Sequence, residues 1–490
     1  MKIQRLLLCL IITSVFIVTM MPLASAATPG EVNAAIDDGL AYLATQQNAD
    51  GSFGGSGGGA YTIGETGEAV LAFENNGNLP GSGTAYSGNV EKGLDYLFTK
   101  AATTAIGVQP AGNPDTNGDG LGVYIACSGE DLYCTGIAAM AIVGSNTPDR
   151  VVTTGPLAGQ TYKQVLTNMV DYFAWAQNDV NTGNSRGGWR YGANYGSSDN
   201  SVSQWPVLAL ISAEQWGINA PAFVKTELNF WVTYIQNPNG CSGYDSPGNW
   251  GSYSYMARTG SLLVEMYYLG DTAATPRVQL ATTCINTNWE LGGAYGNKGD
   301  YYAMYAVFKG LALLGITTLP GPGDWHGNYD DWLLAAQQAN GGWPADGVWA
   351  SSYLDTSWAI LILQKTILPV EVTLTFPACD ELNVDYSVGR LTVDGTLTIY
   401  KDGIGIDQVS LTGFTGAGTH TTAIESGTHT YKAVLDVITA QGLQVVVERT
   451  GTSETCPPTG VPEFPSLAIP AGMILGIAFV VYSLRVTKKD

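Results

Sequence analysis

Between Thr28 and Leu368 apolar residues recur at helical spacing, in stretches of two kinds that alternate along the chain. One kind is amphipathic, with anchors at Tyr42, Tyr96, Tyr172, Phe230 and Leu333 and a further member around 279–285. The other is apolar nearly all round, at about 65–74, 133–142, 203–214, 257–268, 302–314 and 356–364, in windows such as WPVLALISA and YAVFKGLALLG. A helix with no polar face belongs inside a protein, and one with a polar face belongs at its surface. The alternation therefore predicts six helical hairpins, each with an outer first helix and a buried second helix. After Leu368 the period shortens to two: VEVTLTF, LNVDY, RLTVDG, TLTIYKDG, QVSL, THTTAI, THTYKAVLDV and LQVVVER read as strands separated by Gly, Asp and Ser turns. That is the pattern of a small all-β sandwich of about 90 residues.

The first helices share an ending. Glutamine, then glycine and an aromatic, recur in QQNADGSFGG from Gln46, QNDVNTGNSRGGW from Gln177, QNPNGCSGY from Gln236 and QQANGGW from Gln337. A repeated hairpin hides its apolar face only by stacking on its neighbours, so the repeat predicts a closed or solenoidal array. With Gly39, Tyr42, Leu43, Gln47, Gly51 and Phe53 in place, the motif resembles the glutamine-to-tryptophan repeat of squalene cyclases and protein prenyltransferases. The resemblance covers roughly 28–368 and implies an all-α (α/α)6 toroid. It implies no single activity, because one fold hosts many chemistries. The Asp-x-Asp-Asp string of the squalene-hopene cyclases is absent; Asp37-Asp38 and Asp330-Asp331 are simple pairs. A zinc prenyltransferase binds its metal through Asp, Cys and His, but this region has the single histidine His326 and cysteines that read as disulfide-bonded, and Cys127-Ser128-Gly129-Glu130 departs from the Cys-Gly-Glu-Gln of thioester domains.

Both termini carry targeting features. Lys2 and Arg5, the apolar run Leu6 to Met21 and the small residues Ala24-Ser25-Ala26 read as a signal peptide over 1–26. Leu467 to Leu484 is an uncharged stretch of membrane-crossing length, followed by Arg485, Lys488 and Lys489, so a single C-terminal transmembrane helix with a cytoplasmic tail is expected. Just before it, Pro462, Glu463 and Phe464 stand in a tag that resembles the PEF-CTERM sorting signal of archaeal surface proteins, which implies processing by an archaeosortase-like enzyme; a plain membrane anchor is the alternative. The expected order is signal peptide 1–26, toroid 28–368, sandwich 369–459 and a membrane-anchoring end 460–490, with the bulk of the chain on the extracellular face of the envelope.

Composition narrows the partners. Asp and Glu outnumber Lys and Arg by 42 to 21, for a net charge of −21, which argues against a nucleic-acid partner. Without Cys9 of the signal peptide six cysteines remain, an even number in a secreted chain, and their proximity suggests Cys127 with Cys134, Cys241 with Cys284, and Cys379 with Cys456. Asp115-Thr116-Asn117-Gly118-Asp119-Gly120 opens like a calcium loop, with oxygen ligands at the first, third and fifth places. Its twelfth place is Ala126, so a structural calcium would need Glu130 or Asp131; otherwise the segment is a polar turn.

Glu65, Asp131, Asp199, Asp300 and Asp355 precede or open the buried helices, where a carboxylate caps free backbone amides. Hairpins make all the buried helices parallel, so these five should share one rim of the ring with Trp189, Tyr191, Tyr244, Trp343 and Trp349. A rim of carboxylates and aromatics suits binding of a surface glycan or a small hydrophobic ligand. It also suits a glycan hydrolase or lyase using two of the acids. Terpene chemistry and a corrinoid carrier, the latter from architecture alone, stand behind these readings.

Overall fold

The computed structural model describes residues 26–54, 60–249, 255–293, 295–346, 351–365, 370–388, 393–439 and 444–455. The signal peptide, Trp349, Cys456, the tag at Pro462, Glu463 and Phe464, and the C-terminal apolar stretch lie outside them. Among the described residues no helix is long and apolar enough to cross a membrane.

Among the described residues twelve α-helices form two concentric rings. The outer ring holds α1 (Pro29–Gln46), α3 (Ser87–Thr99), α5 (Tyr162–Ala176), α7 (Ala222–Ile235), α9 (Pro276–Thr287) and α11 (Trp325–Ala336). The inner ring holds α2 (Ala60–Glu74), α4 (Asp131–Gly144), α6 (Gln204–Ala213), α8 (Tyr255–Tyr268), α10 (Tyr301–Leu313) and α12 (Ser352–Leu363). Each inner helix packs on the next, and α12 returns to α2, so the ring closes. Outside it, α11 and α12 both reach α1. The chain is thus a helical toroid. Its outer helices start where local chemistry favours it: Thr28 with Glu31 and Thr161 with Gln164 form capping boxes, and Pro276 opens α9.

The repeated glutamine is the clasp between hairpins. The side-chain amide of Gln47 donates to the carbonyls of Gly51 in its own turn (3.0 Å) and of Asn89 on the next outer helix (2.8 Å). Gln177 does the same to Gly187 and Val224, and Gln236 to Gly240 and Arg277. Gln337 reaches Gly341 and Ala35, both at 2.8 Å, and joins the last hairpin to the first. The glycine is dictated by the same contact. At Gly341, with φ +89°, a Cβ would stand 2.4 Å from the Asp38 carbonyl oxygen. Two residues on, the backbone amides of Phe53 and Trp343 are held by the hydroxyls of Thr66 and Thr356, each 2.9 Å away on the following inner helix.

Two antiparallel sheets follow. One runs in the order β5 (Glu371–Ala378), β6 (Glu381–Ser387), β9 (Ala417–Ala423); the other runs β11 (Gln444–Thr452), β10 (Thr430–Thr439), β7 (Val393–Lys401), β8 (Ile404–Phe414). They enclose a core of Val372, Leu382, Val384, Leu397, Ile399, Leu435 and Val447. RLTVDG and TLTIYKDG, expected as two strands, meet in one: β7 continues through Gly395, with a register shift absorbing the irregularity. The short strands β1 (Ala101–Ala105) and β2 (Leu121–Ile125) make a ribbon inside the second hairpin that the helical pattern did not announce, because five residues are too few to show a period. A two-residue pair, β3 (Thr318–Leu319) and β4 (Gly323–Asp324), precedes α11.

The β region docks on one end of the ring. Leu79, in the connection after α2, is fully buried in the sandwich core, and β11 packs on the 3-10 turn Glu214–Trp216 after α6, where Arg449 Nη1 lies 2.8 Å from Glu214 Oε2. Both contacts follow the C-terminal ends of inner helices. The opposite end, at the inner-helix N-termini, is where the acids gather.

Candidate functional site

A pocket of about 220 Å³ opens among the N-terminal ends of the inner helices. All six contribute to its wall: Tyr61 from α2, Tyr133 from α4, Trp205 from α6, Arg258 from α8, Tyr302 from α10 and Trp358 from α12. Tyr191 and Tyr244 reach in from the connecting loops, their hydroxyls 2.8 Å apart. Tyr133 donates to the Ser201 hydroxyl at 2.8 Å and Tyr302 to the Ser201 carbonyl at 3.0 Å, so the rings are fixed and their polar tips define the wall. Below this layer Glu68 and Lys309 are buried together, with the ammonium 4.2 Å from the Trp205 ring and 3.8 Å from the Tyr305 ring. Burial drives both toward their neutral forms, each opposed by the other's charge.

The acids expected on the rim are all at this end of the ring, but they do different things. Asp300 is the N-cap of α10, accepting from the Ala303 amide at 2.9 Å, and it alone of the five lines the pocket. Asp355 sits in the first turn of α12, whose cap is Ser351, and accepts instead from the Asp346 amide at 2.9 Å. Glu65 accepts from the Ser351 hydroxyl. Asp199 holds the turn before α6 through Ser201 and Val202, and its second oxygen stands 3.6 Å from Arg190 Nε. Asp131 binds back to the Cys127 amide at 2.8 Å. The expectation that these acids cap helices is thus corrected for four of them. Asp131, Asp199 and Asp355 are spent on the loops that deliver their own helices, and Glu65 on the cap residue of α12.

Their environment matters for chemistry. Burial raises Asp355 to about 9, with the nearby charges of Asp346, Asp300 and Glu65 adding to the rise. Burial likewise raises Asp300 to about 7, with Asp346 again contributing. At neutral pH Asp355 therefore holds its proton, while Asp300 divides between its protonated and ionised forms. Arg258, buried in the wall, is lowered to about 10 by its burial and remains a cation.

Two aromatics expected on the rim are core residues. Trp189 and Trp343 are fully buried between the rings, where each indole N–H donates to a carbonyl of an outer helix, Phe173 (2.9 Å) and Leu333 (2.8 Å). The residue after the glycine turn faces inward to seal the hairpin, so an aromatic there serves packing. Tyr191 and Tyr244, two residues further on, do line the pocket. The sequence reading missed Tyr133, Trp205, Arg258, Tyr302 and Trp358; the available signal was a large polar-tipped or charged side chain within an otherwise apolar inner helix.

Disulfides join Cys127 to Cys134 and Cys241 to Cys284. Cys379 is also disulfide-bonded. Among the described residues no three His, Cys, Asp or Glu side chains are grouped to hold a metal ion as they stand.

No protein-family profile matches the chain, and no curated protein matches it. Solved structures similar to it include a type II terpene cyclase from Scytonema in complex with geranylgeranyl dihydroxybenzoate, at 13% identity over 69% of this chain and 98% of that one, with a TM-score of 0.42. A glycosidase in complex with glucose is similar with the same identity, the same coverage and the same TM-score. At that distance neither informs the ligand of this pocket.

Proposed function

We propose that the protein is a cell-surface binding protein whose central cup takes one sugar-sized unit, free or at the end of a surface glycan. What supports this reading is the wall of the pocket: aromatic faces from every side, hydroxyl tips held in fixed positions, and a volume of about 220 Å³. A pocket below the roughly 300–1,000 Å³ of ordinary ligand sites suits a ring-sized unit better than an enclosed isoprenoid chain, and a corrinoid is far too large for it. Aromatic faces stack on the C–H faces of a sugar, while tyrosine hydroxyls, and Asp300 in its protonated form, supply donors to its oxygens. Export is supported by the leader-like N-terminus and the disulfides, and anchoring by the apolar stretch near the C-terminus with its Pro462-Glu463-Phe464 tag.

The test is a titration of the purified full chain with monosaccharides, surface oligosaccharides, isoprenoid alcohols and a corrinoid, read by tryptophan fluorescence. Saturable change with a saccharide, lost in Trp358→Ala, is the expected outcome. A response to isoprenoids or corrinoid alone would overturn the sugar reading. Membrane fractionation of the source cells with protease shaving tests the location.

A second reading has its own observation. Asp300 is a carboxyl on the pocket wall that burial raises to about 7, within the range a glycoside hydrolase needs of its general acid, and Glu130 shares that wall. If the bound glycan is also cleaved, reducing ends will accumulate, and Asp300→Asn will stop their release while leaving the glycan bound.

A further inference from the structure

The insertion between β1 and β2 carries the loop Asp115 to Gly120, and its hydrogen bonds order every acceptor in it. The Asp115 carboxylate accepts from the Gly118 and Gly120 amides at 2.7 and 2.9 Å, Asn117 Oδ1 from the Asp119 amide at 2.9 Å, and Asp119 Oδ1 from the Leu121 amide at 2.8 Å. Gly118 and Gly120 adopt φ of +80° and +72°, which lets the chain curl around the oxygens. Neither Glu130 nor Asp131 closes this loop; Asp131 is bound to Cys127.

What faces the loop is α5. Asn168 accepts from Asn117 at 2.6 Å and donates to Asp119 Oδ2 at 3.0 Å. Asp171 Oδ1 accepts from the Thr116 amide (3.2 Å) and hydroxyl (2.7 Å), so this carboxyl is aimed at the loop. Asp171 is fully buried, and its Oδ2 has no hydrogen-bond partner. A buried carboxylate oxygen left without a partner costs free energy unless something cationic meets it.

We propose that Asp115, Asn117, Asp119 and Asp171 form a calcium site in which the outer helix α5 supplies the acid that the loop itself lacks. Three carboxylates and one amide give the hard oxygen set that calcium prefers, and its loose geometry tolerates ligands from two elements. The three acids do not stand at coordination distance in this structure; Asp171 is held against the loop through Oδ1 on Thr116, and its Oδ2, without a hydrogen bond, is the oxygen left to complete the set. Burial pushes Asp171 up to about 6, with Asp115 and Asp119 adding to the rise, which a bound cation would reverse. The site would pin the insertion to the ring.

The test uses the full chain stripped with chelator and titrated calorimetrically with calcium, with magnesium as control. Expected are a dissociation constant on the order of 10⁻⁴ to 10⁻³ M, as extracellular calcium sites show, and a rise in melting temperature with calcium only. Asp171→Asn should weaken binding at least roughly tenfold, no less than loss of an outer-shell partner does, while Glu130→Gln and Asp131→Asn bind as the parent does. Terbium adds a reading that needs no Asp171 variant: Tyr172 follows Asp171 and stacks on Tyr124 with ring centres 5.2 Å apart, so terbium in the site should luminesce on tyrosine excitation and be displaced by calcium. No calcium heat and no terbium signal would overturn the site. Parent-like binding by Asp171→Asn, or loss of binding in Glu130→Gln or Asp131→Asn, would overturn its closure by α5.

Discussion

Asp300 and Asp355 differ in how much their charge matters and how much their shape matters. Asp300 caps α10 through one oxygen, and Asn caps nearly as well as Asp. Asp300→Asn should therefore move the melting temperature little, while saccharide affinity or turnover falls; parent-like affinity together with parent-like turnover in the variant would remove Asp300 from the site. Asp355 makes a pH prediction. Its folded pKa is raised from 3.8 to about 9, so the folded protein binds more protons than the unfolded chain between those values. Stability on its account is highest below the unfolded pKa and falls as pH rises through that window. Asp300 acts in the same direction up to about 7. The melting temperature of the parent should fall from pH 5 to pH 9, and Asp355→Asn should flatten the curve; an unchanged slope would mean that Asp355 is already ionised in the fold.

At the scale of elements, the clasp decides stability. Gln337 satisfies two carbonyls with one amide and closes the ring from α11 to α1. Gln337→Ala leaves both carbonyls without that donor, which should cost about 1–3 kcal/mol in thermal or urea unfolding. The exposed neighbour Gln338 serves as control, and its change to Ala should cost far less. Gly341→Ala should be as damaging by a different route, since its Cβ has no room beside Asp38 and its φ is left-handed. These requirements explain why glutamine and glycine were legible in the sequence: both act on backbone at a fixed offset from their own helix. The aromatic two residues after that glycine was equally visible, but its use was not. Trp189 and Trp343 look the same in sequence as rim residues would, and only the neighbouring hairpin buries them.

For the whole molecule, the sandwich and the ring stabilise each other through few residues. Leu79 belongs to the ring by sequence and to the sandwich by packing, so Leu79→Ala should destabilise the β region by about 2–5 kcal/mol although the substitution lies some three hundred residues away. Calorimetry should show the β transition moving down with the inner ring little affected; a shift confined to the ring would place Leu79 outside the sandwich core. The β region docks at the C-terminal ends of the inner helices, opposite the end that carries the pocket. Disulfides in both parts lead to a further expectation: non-reducing peptide mapping of the protein purified from its source cells should find none of the six cysteines Cys127, Cys134, Cys241, Cys284, Cys379 and Cys456 free, with Cys379 joined to Cys456.

The sequence by itself determined the number of hairpins, which helix of each is buried and the change to strands after Leu368, and it suggested the pairing of Cys127 with Cys134 seven residues on. These follow from local periodicity and short spacing, and periodicity survives whatever surrounds it. It also placed the acids at one end of the ring, because hairpins force parallel inner helices. Only the tertiary structure decided what those acids bind, that Tyr133, Trp205, Tyr302 and Trp358 converge on one pocket, and that Asp171 rather than Glu130 or Asp131 faces the loop at Asp115. Each of those depends on side chains that meet across the ring from different hairpins, and a contact between distant positions leaves no period in the chain.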